Sequence, residues 1–309
     1  MNKILVTCYV NPDLDGVASA VAYAEYLQKK NQDVIAGIIG EMHEEVKFIL
    51  NRFDLLAPKK FNKIDKFEKI ILVDSSELNG LAGKISPEKV IEIIDHRKIN
   101  EAEKFPNAKV QIELVGAAAT LVAEKFMKES KEISKQSAML LYGAIISNTL
   151  NFKASVTTDR DKAAADWLNL KLKLPKNFWR ELFSAKSDLS GKKLKERLDG
   201  DLAWFTLGNK KISIAQIEIM GIKKLINERE LEIIKELKRI KKKSKLDYIF
   251  LNAIELEYLY NMIVAFEDET KKILEEVLSV KFIGNVAKRQ ELIMRKQIIP
   301  LLKKRLEEN

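Results

Sequence analysis

The sequence predicts an α/β protein of two domains, a first built on a parallel sheet and a smaller, mixed α/β second. Three observations predict it. Short apolar, β-type runs alternate with helical stretches through roughly the first hundred residues, the pattern turns helical from 117 to 184, and strand-like runs resume past residue 200 after a polar interval. A chain of 309 residues, 46% of them hydrophobic, can fill two cores.

Residues 3–10 read as a buried strand, and 16–30 (GVASAVAYAEYLQKK) as a helix rich in small residues that ends in lysines, the charge favoured near a helix C-terminus. Further apolar runs at 33–39, 69–74 and 90–95 alternate with helical stretches at 43–52 and 76–84, as crossover connections of a parallel sheet require. Helices are expected at 117–130, 134–147, 158–170 and 175–184. The stretch 185–200 (AKSDLSGKKLKERLDG) is polar and lacks a sustained apolar face, so residues 1–186 read as the first domain, 187–200 as a linker and 201–309 as the second domain. Strand-like runs at 201–207, 211–219, 246–253 and 258–265 and a charged helix over about 221–243 fill that second domain. Pro300 is tolerated in a first helical turn but not mid-helix, which places the start of a last helix there and Arg295 and Lys296 on an extended segment just upstream.

Composition narrows the function. No apolar run approaches the roughly 18–20 residues that a bilayer span needs, and the sequence after Met1 lacks the pattern of a secretory signal, so a cytoplasmic address is expected. The single Cys8 lies in an apolar run and has no thiol partner, and with only His43 and His96 present a zinc site of several His or Cys ligands is excluded. Any metal must lean on carboxylates. The net charge of +9 is spread over helical stretches such as KELKRIKKKSK at 235–245, which reads as solvated helix surface rather than a nucleic-acid footprint, and suits a small polyanionic phosphate substrate. No P-loop or G-x-G-x-x-G sequence occurs, and Gly16 and Gly116 read as turn and packing residues. Lys153, Lys186 and His43 are candidate substrate contacts, although surface polarity explains each.

Chemistry concentrates at three strand ends. NPDLDG at 11–16 sets Asp13 and Asp15 between a strand and a helix whose free N–H groups favour anions; LVD at 72–74 ends a strand on Asp74; IIDHR at 93–97 ends another on Asp95 and His96. Ligands of open α/β sheets bind outside the carboxyl ends of the strands, and several carboxylates gathered there would repel unless cations neutralised them. Oxygen ligands with one imidazole point to Mn²⁺ or Mg²⁺, with Co²⁺ as an alternative. Arg97, planar and always charged, suits a phosphate.

These motifs, with VGAAAT at 115–120 and ISNTLNFK at 146–153, resemble the DHH phosphoesterase superfamily, and most resemble its family II, manganese-dependent inorganic pyrophosphatases and their prune-type exopolyphosphatase relatives. AKSDLS at 185–190, IAQIE at 214–218 and RKQIIP at 295–300 resemble landmarks of that family's DHHA2 domain, so the likeness runs the length of the chain. The resemblance implies two ions, with Asp13 and Asp15 on different metals, Asp74 bridging, His96 and Asn148 at further ligand positions, and Asp95 orienting the DHR loop. It further implies Arg97, Arg295 and Lys296 on phosphate in an interdomain cleft, a metal-activated water as nucleophile, pyrophosphate or short polyphosphate as substrate, and a homodimer.

Four positions depart from the pattern. Tyr9 stands where the family has a metal-binding histidine, Asn148 where it has an aspartate, Arg97 at the second histidine of the DHH triplet and Ala203 at a substrate-binding lysine. They leave open a regulatory protein that binds phosphate or nucleotide on a degenerate site. A nucleotide phosphodiesterase is disfavoured, because the glycine-rich C-terminal motif of that branch is missing.

Overall fold

A computed structural model describes residues 3–307; residues 1, 2, 308 and 309, with the chain start at Met1 and the outer limits of both expected domains, lie outside them. The chain divides into two compact units between Ala185 and Lys186.

The first unit runs β1 (Ile4–Thr7), α1 (Leu14–Gln28), β2 (Val34–Ile38), α2 (Glu44–Arg52), β3 (Lys59–Lys60), β4 (Ile70–Val73), β5 (Val90–Asp95), β6 (Lys109–Ile112), α3 (Ala118–Lys128), α4 (Lys135–Asn148), α5 (Asp159–Leu172) and α6 (Phe178–Lys186), the last crossing the division. Its six strands lie in the order β3-β2-β1-β4-β5-β6 and are parallel throughout. Ile70, Ile71, Leu72 and Val73 of β4 are all buried, which is why that strand reads as an unbroken apolar run rather than an alternation. The chain reverses its winding direction at β1, whose neighbours are β2 on one side and β4 on the other. At such a reversal the loops leaving adjacent strands diverge and open a crevice, and here the loops after β1, β4 and β5 are the ones that carry the acids.

One expectation changes here, and two strands are added. The helix at 76–84 is only a 3₁₀ turn over Asn79–Leu81, closed by Ala82 at φ 48°, because Gly80 and Gly83 offer no helical continuity. The edge strands β3 and β6 carry no apolar run, since Lys59, Lys60, Lys109 and Val110 are exposed, and periodicity had nothing to register.

The second unit holds α7 (Lys193–Gly200), β7 (Leu202–Leu207), β8 (Lys210–Ile219), α8 (Ile222–Ser244), β9 (Tyr248–Glu255), β10 (Asn261–Val264), α9 (Asp268–Leu278), β11 (Phe282–Ile283), β12 (Val286–Arg289) and α10 (Arg295–Glu307). Its sheet, ordered β11-β12-β10-β9-β8-β7, is mixed: β8 and β9 are parallel and joined by the crossover helix α8, and the other pairs are antiparallel. The stretch 187–200 is therefore no bare linker. Leu194 and Leu198 are fully buried in one core with Ile217, Ile219 and Leu237, a two-residue apolar stripe too short to stand out among the lysines. The last helix starts at Arg295 rather than Pro300; the Met294 N–H donates to Gln297 Oε1 at 2.8 Å, capping the earlier start, and Pro300 lies inside the helix.

A candidate metal centre at the strand ends

Each acid is held by the local backbone its sequence dictates. Asp13 is the N-cap of α1, where Oδ1 accepts from the Asp15 and Gly16 N–H groups at 2.9 and 3.1 Å. Asp15, in the first turn of α1 and fully buried, accepts from the Ala118 and Ala119 N–H groups, both at 2.8 Å, at the start of α3. Asp74 leaves β4 in the left-handed region at φ 50°, a conformation uncommon outside glycine and better tolerated by Asp and Asn than by most residues. Asp95 ends β5 fully buried, accepts the His96 N–H at 2.7 Å, and pairs with Ser76 Oγ and the Arg97 guanidinium.

Asp15, Asp74 and His96 converge, with one ligand atom from each lying within 4.8 Å of the others. His96 Nε2 is 3.7 Å from Asp15 Oδ2 and 3.4 Å from Asp74 Oδ1. Ligands of a common ion, each about 2.1 Å from it, stand roughly 3.0–3.4 Å apart, so a modest contraction suffices. His96 Nδ1 lies 3.0 Å from the Val115 carbonyl, which can only accept; in the neutral imidazole the proton therefore sits on Nδ1, leaving the Nε2 lone pair to face the carboxylates. Asp74 Oδ1 is buried and accepts no well-aligned hydrogen bond, although His96 Nε2 and Arg97 Nη2 approach it at 3.4 and 3.2 Å. An oriented imidazole, two buried carboxylates and an orphaned oxygen fit a divalent, oxygen-preferring cation such as Mn²⁺.

Asp13 and Asn148 stand differently. Asp13 lies outside that three-atom cluster, with one oxygen committed to capping α1. Asn148 turns its amide nitrogen to Asp15 Oδ2 at 2.8 Å, a donor's role rather than a ligand's.

Residues 3–145 match the DHH family, N-terminal domain, and residues 180–305 match the DHHA2 domain. The manganese-dependent inorganic pyrophosphatase of Methanothrix thermoacetophila is 32% identical over 308 residues, 97% of each chain. The chain belongs to the manganese-dependent inorganic pyrophosphatase family. A Methanococcus jannaschii crystal structure, titled a "putative family II inorganic pyrophosphatase", superposes on this family member with a TM-score of 0.78 at 29% identity, covering 98% of this chain and 99% of its own.

Within this pyrophosphatase-family chain the departures have physical readings. Burial first, then the charges of Asp13 and Asp74, push the Tyr9 phenol well above its usual range; it stays neutral, and its oxygen accepts the Asp13 N–H at 3.1 Å. Arg295 is tied within its own unit, its Nη1 donating to the carbonyls of Asp201 and Ile214 at 3.0 and 3.1 Å and its Nη2 lying 3.0 Å from Asp201 Oδ1. Lys296 follows it, exposed, in the first turn of α10. Ala203 sits on β7, its carbonyl accepting Ser213 Oγ. Lys186 lies 3.9 Å from Glu218, Lys153 packs over the Trp179 ring, and His43 is the N-cap of α2.

Two residues escaped the sequence reading. Buried Glu45 accepts the Leu14 N–H at 3.2 Å and Ser147 Oγ at 2.6 Å, tying α2 and α4 to the start of α1. Fully buried Asp161 accepts the Gly116 N–H at 2.9 Å, Thr120 Oγ1 at 2.6 Å, and the N–H and Oγ1 of Thr158, both at 2.7 Å. Gly116 is required there, because a Cβ would meet Thr149 Cγ2 at 2.5 Å and Asp161 Oδ2 at 3.0 Å. Thr158-x-x-Asp161 is a capping-box pattern legible in the sequence, whereas Glu45 has no local signal.

The electrostatics predict how the metal-free protein responds to pH. Burial, then the charges of Asp74 and Glu45, raise Asp13 to about 7. Burial opposes the charged form of His96, but Asp74 and Asp15 outweigh it and carry the imidazole up to about 9. Both groups hold protons more tightly folded than unfolded, so stability falls as pH rises. The Asp13 contribution fades between about pH 4 and 7, and that of His96 between about pH 6.5 and 9. Melting of chelator-treated protein should therefore shift downward from about pH 5 to about pH 9, while stabilisation by added Mn²⁺ grows as the ligands lose their protons. A metal-free melting point that climbs over that interval contradicts the assignment.

Proposed function

We propose that this chain hydrolyses inorganic pyrophosphate in a manganese-dependent reaction, with Asp15, Asp74 and His96 holding the metal. The observation that carries the proposal is the convergence of those three side chains at the strand ends of a chain 32% identical, over 97% of its length, to a manganese-dependent inorganic pyrophosphatase. Bound manganese supplies positive charge that neutralises phosphoryl oxygens and makes water a better nucleophile. The chain's own residues do the rest. Asp15 is fixed by the start of α3, and His96 by the Val115 carbonyl, so neither ligand needs to reorganise. Asp95 holds the Arg97 guanidinium, whose partly exposed edge is suited to a phosphate oxygen. Asp13 keeps α1 capped and adds negative charge beside the centre. Lys296, exposed, and Arg295 are proposed as further phosphate contacts, Arg295 only by giving up part of its pairing with Asp201.

The test is phosphate release from pyrophosphate, tripolyphosphate and a dinucleotide, each with Mn²⁺, Mg²⁺ or Co²⁺. Pyrophosphate with Mn²⁺ should be fastest, and Lys296→Ala should raise KM more than it lowers kcat. Silence on all three substrates removes the enzyme reading. It would favour a second one, a phosphate-binding regulator, which the neutral Tyr9 and the Asn148 amide turned to Asp15 motivate.

A further inference from the structure

The groups that could complete a second metal site are already engaged, and the residue that engages most of them is a cation. Arg97 Nη1 donates to the Asp74 carbonyl at 2.6 Å and to the two Asp95 oxygens at 3.1 and 3.0 Å, while Nη2 lies 3.2 Å from Asp74 Oδ1. Its guanidinium carbon is 5.7 Å from the centre of the Tyr9 ring. One planar, permanently charged group thus spans two buried carboxylates and packs on an aromatic face. Asp95 also accepts from Ser76 and the His96 N–H. One Asp13 oxygen caps α1, the Tyr9 oxygen accepts the Asp13 N–H, and Asn148 presents nitrogen to Asp15. A pair of ions about 3.5–4 Å apart needs a shared carboxylate with further anionic or imidazole ligands around the second ion. Here the second set is a helix-capping aspartate, a phenol, and carboxylates that a guanidinium already neutralises.

We propose that the Arg97 guanidinium is a built-in substitute for a second ion, so that each chain binds a single Mn²⁺ on Asp15, Asp74 and His96. The two-ion expectation from family resemblance gives way to one metal and one fixed organic cation. This rests on the proposed manganese site and not on turnover.

The experiment is a calorimetric titration of the metal-stripped full chain with Mn²⁺, with electron paramagnetic resonance of the loaded protein. Wild type should take up one ion per chain and show the hyperfine pattern of an isolated Mn²⁺. The double variant Tyr9→His with Arg97→His removes the cation and adds two imidazoles; it should bind a second ion and show the spectrum of an exchange-coupled pair. Arg97→Lys, which keeps the charge, should stay at one. A coupled pair in wild type overturns the proposal, and so does a folded double variant that still binds one ion. If that variant does not fold, the wild-type stoichiometry and spectrum decide alone. Two ions with pyrophosphate hydrolysis leave the proposed function standing without this inference; one ion without hydrolysis does the reverse.

Discussion

Asp74→Asn should lower Mn²⁺-dependent pyrophosphate hydrolysis by more than about 100-fold, weaken Mn²⁺ binding by at least as much, and change the stability of the metal-free protein little. Partners that only orient metal ligands typically cost 10–100-fold when removed, so loss of a ligand should exceed that range. Asn is the informative replacement because it keeps the shape and tolerates the left-handed backbone at φ 50°, where other side chains add strain. The small effect on stability follows from the same geometry: the Asp74 charge repels Asp13 and Asp15, raising their proton affinity, but it also attracts the cationic His96 and Arg97. Removing the charge relieves that repulsion and forfeits the attraction to His96 and Arg97, while Arg97 keeps its pairing with Asp95. Phosphate release, Mn²⁺ calorimetry and chelator-treated melting curves read the three effects separately. Turnover and affinity within about tenfold of wild type would sink the assignment of Asp74 as a ligand.

Asp161→Ala should produce the largest loss of stability, about 3–5 kcal/mol, although Asp161 has no direct contact with the proposed ligands. Its buried carboxylate accepts from Gly116, Thr120 and Thr158, and truncation strands those donors without water. At roughly 2–4 °C per kcal/mol for a unit of this size, its melting transition should fall by about 10 °C. A functional effect should follow. Asp161 anchors the Gly116 turn that leads into α3, and the first N–H groups of that helix hold Asp15, so Mn²⁺ affinity should drop by about 10–100-fold. Asp161→Asn, which can still accept from part of the set, should recover some of both losses. A melting point within about 3 °C of wild type in Asp161→Ala would show that the network contributes little.

Much of the first unit was legible from the sequence, for a reason visible in its burial. β1, β4 and β5 carry apolar runs because both faces of the parallel sheet are covered, one by α1 and α3 and the other by Phe61, Phe67, Leu81 and Phe105 from the connecting segments, and α1 is almost wholly buried, so hydrophobicity marked each element. Edge strands and short capping elements left no such mark. β3 is two exposed lysines, β12 is a four-residue stretch with two basic side chains, and α7 buries only Leu194 and Leu198. α10 starts earlier than proline tolerance alone implies, because the Gln297 side chain caps Met294 and hydrogen bonds from Asn252 and Asn261, elsewhere in the sheet, fix the adjacent Ile293.

The sequence by itself determined the chemical inventory of the centre and the fold class, because carboxylates at the ends of apolar strands can be read residue by residue. Which of these side chains converge is set by the tertiary structure. Strand order brought the β1, β4 and β5 loops together and selected Asp15, Asp74 and His96 as the converging set. It turned Asn148 into a donor to Asp15 and Asp13 into a helix cap. It also laid the Arg97 guanidinium across Asp74 and Asp95. The physical reason is that ligand identity depends on which lone pairs remain uncommitted once every buried donor and acceptor has been paired. That pairing links residues up to 133 positions apart, as in Asn148 to Asp15, and no local pattern in the chain encodes it.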